Sequence, residues 1–478
     1  MRWRPAHAPS GSRGGRLAVL LVFAVVVGTA VLVAGCGGES SMTSSPTADV
    51  SNSPSVVPSP LAYPSTAAGE QLAWVVGRMN DGTPFTREEI EAHFSSSFLK
   101  AVPADQLAVV LAQLAAGGKL RLGDVLVAGS PTALVARLDR STGEQLKASI
   151  AVEEGPQRRI VGLLFQPYTE TPRPTSWKAI DDQVAGLAAQ ALLVAVDLDS
   201  QDTPIHQLDA ERVGAIGSAF KLYVLGALGE AVENGSAAWN ERLAIRDAWK
   251  SLPSGDMRDE PAGTKFALRH YAEQMISVSD NTATDHVMWR VGRAAVEARL
   301  RPMGASAPER MLPLPTTREM FVLKLSAPDD VRRAYIAGDT ATRRTILKSL
   351  AALPLSVEDA ADWTAPRDID TIEWFASPAD LVRAHVALQE MARTKGLEPI
   401  RAILAINPGV SIDQATWPYV AFKGGSEPGV LCFSWYMERA DGRRFALALV
   451  LNDGEHAIDT PAAVTVAEGA FDLLAKVP

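Results

Sequence analysis

The sequence predicts an α+β protein with two folded units. The first is small, with helices followed by a strand meander; the second is larger, an antiparallel sheet flanked by helices. Three observations carry this. Turn-bounded β-rich runs recur between Leu120 and Phe165, after three helical segments. Prolines at 167, 172 and 174 mark a linker. Beyond them, two strand-like runs precede a long apolar helix, and another strand-like run lies around residue 423.

The 478 residues allow two or three domains. With 47% apolar and 21% charged residues, the bulk reads as globular. A net charge of −9 lacks the basic face of a nucleic-acid binder. The N-terminus differs. Arg2, Arg4, Arg13 and Arg16 precede an uncharged apolar run, Leu17–Ala34, which reads as an export signal over residues 1–35. The run ends Val33-Ala34-Gly35-Cys36, which resembles a bacterial lipobox, where lipid joins the Cys after cleavage before it. The expectation is a chain lipid-anchored at Cys36 on the extracytoplasmic face of the cell membrane; a simple membrane span is the alternative. Residues 36–68, rich in Ser, Pro and Thr, read as a flexible tether. With Cys36 lipidated, Cys432 has no partner and reads as a buried strand thiol. H-E-x-x-H, C-x-x-C and G-x-S-x-G are absent, and no metal or cofactor is expected.

In the first unit, residues 69–167, helical spacing covers Glu70–Asn80, Arg87–Phe98 and Gln106–Ala115, the last stopped by Gly117-Gly118. Strands are expected at Leu120–Ala128, Thr132–Asp139, Gln145–Val152 and Arg159–Phe165. This order resembles cone-shaped folds of the steroid-isomerase and polyketide-cyclase kind. No acid–base pair stands out, so a docking or scaffolding role is expected. After the linker, 168–176, the second unit runs over 177–478. It opens with a helix at Trp177–Gln190 and strands at Ala191–Leu198 and Pro204–Leu208.

The chemistry centres on Val213–Val232. An apolar helix begins with Ser218 in its first turn and Lys221 three positions on, so the amine can sit beside the hydroxyl. Unpaired N–H groups at the helix start favour an anion there. Phe220, Leu222 and Leu225 suggest apolar surroundings, in which a Lys can lose its proton and act as a base. Alone, S-x-x-K is a weak signal; Ser97–Lys100 repeats it with no companion motif. Two further stretches supply company. A helix over Phe266–Ser277 leads into Ser279-Asp280-Asn281, where Ser279 can pass a proton and Asn281 can hold a carbonyl together with Lys221. The competing reading is a helix end followed by an N-cap. Val420–Ser426 reads as a strand interrupted by Gly424 and Gly425, with Lys423 placed for a carboxylate and an N–H available for an oxyanion hole. Here the competing reading is a β-bulge carrying a surface Lys.

Together the three motifs resemble S-x-x-K, S-D-N and K-[TS]-G of the penicillin-recognising serine enzymes, class A β-lactamases and penicillin-binding proteins, over roughly residues 175–478. The resemblance implies a β-lactamase/transpeptidase-like fold with Ser218 as acyl-accepting nucleophile and Lys221 as its base. It implies that Ser279 and Asn281 shuttle a proton and orient substrate, and that Lys423 binds a carboxylate. The backbone N–H groups of Ser218 and Ser426 would form the oxyanion hole. Pro315–Phe321, Trp374–Ser377 and Lys423–Gly429 also look similar to the two-domain β-lactamase-like proteins of clavulanic-acid gene clusters. Two departures stand out. Gly424 replaces the usual Thr or Ser, and none of Glu309, Glu319, Glu358 and Glu373 sits in the family's Glu-x-x-x-Asn setting. Slow turnover of β-lactams is therefore expected, on β-lactam, ester or peptidoglycan-peptide acyl substrates. The alternative is a lipoprotein whose second domain binds cell wall or ligand without chemistry.

Overall fold

A computed structural model describes residues 61–478, apart from 131, 154–156, 169–170, 201–203, 356–362 and 411. The export signal, Cys36 and Glu358 lie outside the described residues, as does most of the expected tether. No helix among the described residues is long and apolar enough to cross a membrane.

The helix α1 (Ala67–Asp81) is capped by Thr66, which accepts from Gly69 N, and ends at Gly82 with φ +72°. The single helix expected over Arg87–Phe98 is instead two, α2 (Arg87–His93) and α3 (Ser96–Ala101). Phe94 is extended between them, and Ser95 N–H donates to Ile160 O (2.9 Å). Ser95 then caps α3 by accepting from Phe98 N, a local bond that competes with helix continuation. The helix α4 (Ala104–Ala116) follows, then an antiparallel meander of β1 (Leu120–Ser130), β2 (Ala133–Arg140), β3 (Gln145–Val152) and β4 (Ile160–Pro167). Alternating burial in β2 and β3 turns Leu138, Ala148 and Ile150 onto Leu72, Ile90 and Leu111 in a cluster of their own. Lys147 of β3 donates to Asp459, 3.0 Å away.

From α5 (Trp177–Leu187) the chain enters β5 (Gln190–Asp197) and β6 (Pro204–Leu208), so the expected first helix stops three residues early. A five-stranded antiparallel sheet has the order β11-β12-β13-β5-β6, with β11 (Tyr419–Glu427), β12 (Val430–Glu438) and β13 (Arg444–Asn452). Both of its faces are covered. Leu193, Leu447 and Leu449 meet α5 and a C-terminal helix, Thr460–Ala475. Leu192, Val194 and Val450 meet the helical half of the unit. This is why β12 reads as a continuous apolar run rather than an alternating one.

The helical half contains α6 (Lys221–Glu233), α7 (Leu268–Ser277), α8 (Asn281–Val291), α9 (Arg293–Arg299) and α10 (Thr317–Phe321). A single π turn, Val322–Ser326, follows α10. The helix expected from Phe266 begins at Leu268, because Lys265–Ala267 pairs as a short strand with Arg242–Ala244. The strand expected to be interrupted at Gly424 and Gly425 is continuous, its register with β12 unbroken from Tyr419↔Glu438 to Glu427↔Val430. Those glycines serve close approach rather than a bulge.

Candidate active site

The Ser218 turn is assembled from its flanks. Gly214–Ala215 pairs antiparallel with Phe375–Ala376, and Ile216 N–H donates to Trp374 O (2.9 Å). Gly217 takes φ +48°, a left-handed conformation that glycine adopts without strain. A 3₁₀ turn, Gly217–Phe220, then leads into α6, so Ser218 stands just ahead of the α-helix rather than in its first turn. Phe220 stacks on Trp374 with ring centroids 4.0 Å apart, locking the turn against the 373–376 segment.

Lys221 is fully buried. Its Nζ lies 2.6 Å from Ser279 O, 2.6 Å from Asn281 Oδ1 and 3.0 Å from Ser279 Oγ. Burial, then the nearby Lys423 charge, pulls its pKa well below the usual lysine value. Asn281 is fixed at its other end by Nδ2 donating to Leu252 O (2.7 Å). Ser279 has φ +57°, uncommon outside glycine, and Asp280 behind it caps α8 by accepting from Ala283 N (2.6 Å). The N-cap reading of this tripeptide is thus also correct. The cap turns Ser279 back toward Lys221. Below, buried Asp285 accepts from Thr317 N and Arg318 N, and burial raises its pKa to about 7.

The β11 edge closes the other side. Lys423, 2% exposed, donates to Ser279 Oγ (3.1 Å) and to Gly424 O (2.7 Å). Burial lowers its pKa to about 7; a surface lysine on a bulge is excluded. Its own carbonyl accepts from Ser434 Oγ (2.8 Å), which faces the buried His385 Nε2. A Cβ on Gly425 would stand 2.1 Å from Ile216 O and 2.5 Å from Ser218 N, so only glycine lets this strand touch the Ser218 turn. A Cβ on Gly217 would stand 3.0 Å from Ser426 N. The Ser218 and Ser426 amides therefore line one narrow gap. At Gly424 a Cβ would meet the tip of the Phe422 ring at 2.8 Å.

The structure brings Ser218, Lys221, Ser279, Asn281 and Lys423–Ser426 together. It does not bring Ser97 and Lys100 to them: that pair lies on α3, with Lys100 exposed. Among the candidate acids, Glu309 is exposed beside Arg301. Glu319 completes a capping box with Thr316 and pairs with Arg293 (2.6 Å). Glu373 is buried behind the Ser218 turn, its Oε2 accepting from Gly217 N (3.2 Å) and Trp374 N (2.8 Å). Two further groups beside Glu373, Lys324 and Glu427, escape motif reading. The available signal was a lone Lys inside the apolar run Phe321–Leu325 and an acid directly after the K-G-G-S stretch. Cys432 is buried in β12, and burial raises its thiol pKa.

Residues 175–390 match the model of the Beta-lactamase enzyme family, and residues 63–156 match one described as ORF 12 gene product N-terminal. No curated protein matches the chain. Among solved structures, PBP-A is similar at 16% identity over 64% of this chain and 100% of its own, with a TM-score of 0.42. A β-lactamase from Sphaerobacter thermophilus is 19% identical over 63% of this chain and 99% of its own, TM-score 0.45. A class A β-lactamase from Mycobacterium abscessus is 12% identical over 62% and 98%, TM-score 0.43. The Beta-lactamase family match over residues 175–390 spans Ser218, Lys221, Ser279 and Asn281 and stops before Lys423.

Proposed function

We propose that this site belongs to a serine hydrolase that forms an acyl-enzyme at Ser218. The observation that carries the reading is Lys221, a fully buried amine three residues from the nucleophile and held between Ser279 and Asn281. As a neutral amine it spends two hydrogens on the Ser279 and Asn281 oxygens and keeps a lone pair for the Ser218 proton. Ser218 Oγ then bonds to the acyl carbon, and the carbonyl oxygen takes up charge between the Ser218 and Ser426 amides. Ser279 Oγ, in contact with both lysines, passes the proton to the leaving group. Lys423 supplies positive charge to the substrate. Water later cleaves the acyl bond and frees Ser218.

The substrates are β-lactams, simple esters or related acyl compounds, with slow β-lactam turnover. Two features support that. Gly424 offers no hydroxyl to a carboxylate, and the Phe422 ring fills the space such a side chain would need. Glu309 and Glu319 are engaged away from the Ser218 gap, and Glu373 is held behind the Ser218 turn by Gly217 N and Trp374 N. Intact mass after exposure to a fluorescent penicillin tests the reading. A single adduct in the wild type, absent in Ser218→Ala, is expected; an adduct that persists in the variant defeats it.

The remaining parts of the reading are a cone-like first domain over 69–167, likeness to the clavulanic-cluster two-domain proteins, and a lipid anchor at Cys36. The separate N-terminal family match over residues 63–156 supports a two-domain organisation. Fatty-acid labelling lost in Cys36→Ala tests the anchor. A second reading, a binding module for cell wall or ligand, is favoured by the Phe422 ring standing beside Gly424. Hydrolysis of p-nitrophenyl acetate that disappears in Lys221→Ala excludes it.

A further inference from the structure

Three groups that the serine machinery leaves unused lie directly behind it. Lys324, on the π turn Val322–Ser326, is fully buried, and π turns recur at functional sites. Its Nζ donates to Glu427 Oε1 and lies 3.5 Å from Glu373 Oε1, with the Trp363 ring face 5.4 Å away. Glu373 reaches the Ser218 turn through Gly217 N, while Glu427 ends β11 directly after Ser426. One cation is thus attached to both walls of the gap that the two oxyanion-hole amides line.

The charges do not balance if both acids are ionised. Two carboxylates around one ammonium leave a net anion in a dry site, which costs several kcal/mol unless a proton is kept. Glu373 accepts two backbone N–H bonds, from Gly217 and Trp374. Glu427 sits deeper in charge repulsion: burial and the neighbouring Glu373 hold its carboxyl well above the ordinary range. Glu373 Oε1 and Glu427 Oε2 are moreover buried without a hydrogen-bond partner among the described residues, and one shared proton would join them.

We propose that Lys324, Glu373 and Glu427, with a single proton kept between the two carboxyls, form a neutral brace that positions the oxyanion hole, Glu373 holding the Gly217–Ser218 turn and Glu427 the Ser426 edge. The proposal rests on the serine-hydrolase reading. These are positioning residues: none of them touches the substrate. Glu427→Gln keeps an oxygen for Lys324 and an N–H for Glu373, so its acylation rate should stay within about threefold of wild type. Glu373→Gln strands the ammonium and loosens the Gly217 bond. Its saturating acylation rate should fall about tenfold or more, with KM unchanged. Equal losses in the two variants, as a plain buried ion pair would give, overturn the proposal. Infrared spectroscopy gives an arm that needs no substrate. At pH 9, above the Asp285 titration, a protonated-carboxyl band should appear in the wild type and be lost in Glu427→Gln; its absence from the wild type overturns the brace. If Glu373→Gln does not fold, this band together with Glu427→Gln against Glu427→Leu decides. A wild type that no acyl probe modifies defeats the hydrolase reading and the positioning role with it, while the band still reports on the shared proton.

Discussion

Three lysines are buried among the described residues of the second unit, and they fall into two regions. Lys221 and Lys423 line the cleft, with neutral oxygens as their hydrogen-bond partners: a serine hydroxyl and carbonyl, an asparagine amide and a glycine carbonyl. Lys324, a few residues behind the Ser218 turn, faces two carboxyls instead. Burial is the same in both regions, at 2% exposure or less. What differs is the countercharge, and it separates the roles. An amine with no carboxylate partner loses affinity for its proton and becomes a base; one placed between carboxyls becomes a clamp.

The largest expected effect tests the first half of that comparison. Lys221→Met should lower the rate of acylation by roughly 10³-fold, the scale of a lost general base. Its unfolding free energy should move by no more than about 2 kcal/mol, since the substitution removes a costly buried amine along with its bonds. Stopped-flow acylation and urea melts measure the two. The second half predicts the opposite pattern. Lys324→Met leaves an uncompensated buried carboxylate and should lose about 3–5 kcal/mol of stability. Similar melts for the two variants would erase the distinction.

Next comes the steric link between the regions. Gly425→Ala forces the β11 edge away from Ser218, because its Cβ would overlap Ile216 O. Acylation should fall about 10²-fold with roughly 1–3 kcal/mol of stability. Wild-type acylation in Gly425→Ala would mean the strand does not complete the site.

The cleft lysines also predict how stability varies with pH. Lys423 falls from 10.5 to about 7 in the folded protein. Between those values the unfolded chain binds the extra proton, so stability is greatest above 10.5 and is lost as pH falls toward 7. The slope contributed is up to about 1.4 kcal/mol per pH unit. Lys423→Met should flatten that window; an unchanged slope would show that Lys423 stays charged in the fold.

The cleft was legible in the sequence and the brace was not, for a physical reason. Ser218 and Lys221 are neighbours on one turn, and Ser279 and Asn281 flank a single N-cap, so local spacing fixes half of the geometry. Lys423, Gly424 and Gly425 stand out as a glycine pair beside a charge in an apolar strand. By contrast, Lys324, Glu373 and Glu427 meet only through tertiary packing, from a π turn, an extended segment and a strand end. No local period announces them. The sheet was readable because its strands are long apolar runs. The split of α2 from α3 was not, because it depends on Phe94 and Ser95 meeting Ile160 across the unit.

The smallest expected effect concerns what the cleft admits. In β11, Phe422 and Gly424 point to the same face, and the ring tip would lie 2.8 Å from any Cβ at 424. A Cβ at Gly409 would lie 2.4 Å from the same ring, so the phenyl is pinned between two glycines. Gly424→Thr alone should therefore misplace the strand and weaken acylation. Phe422→Ala with Gly424→Thr makes room for a hydroxyl on the β11 edge without moving that edge. That double variant should gain about tenfold in preference for a carboxylate-bearing penicillin over its methyl ester, the worth of one hydrogen bond to a charged group. Phe422→Ala alone should leave the ratio unchanged. If the wild type already discriminates as strongly as the double variant, the buried Lys423 suffices to read a carboxylate, and the ring beside Gly424 has no part in choosing the substrate.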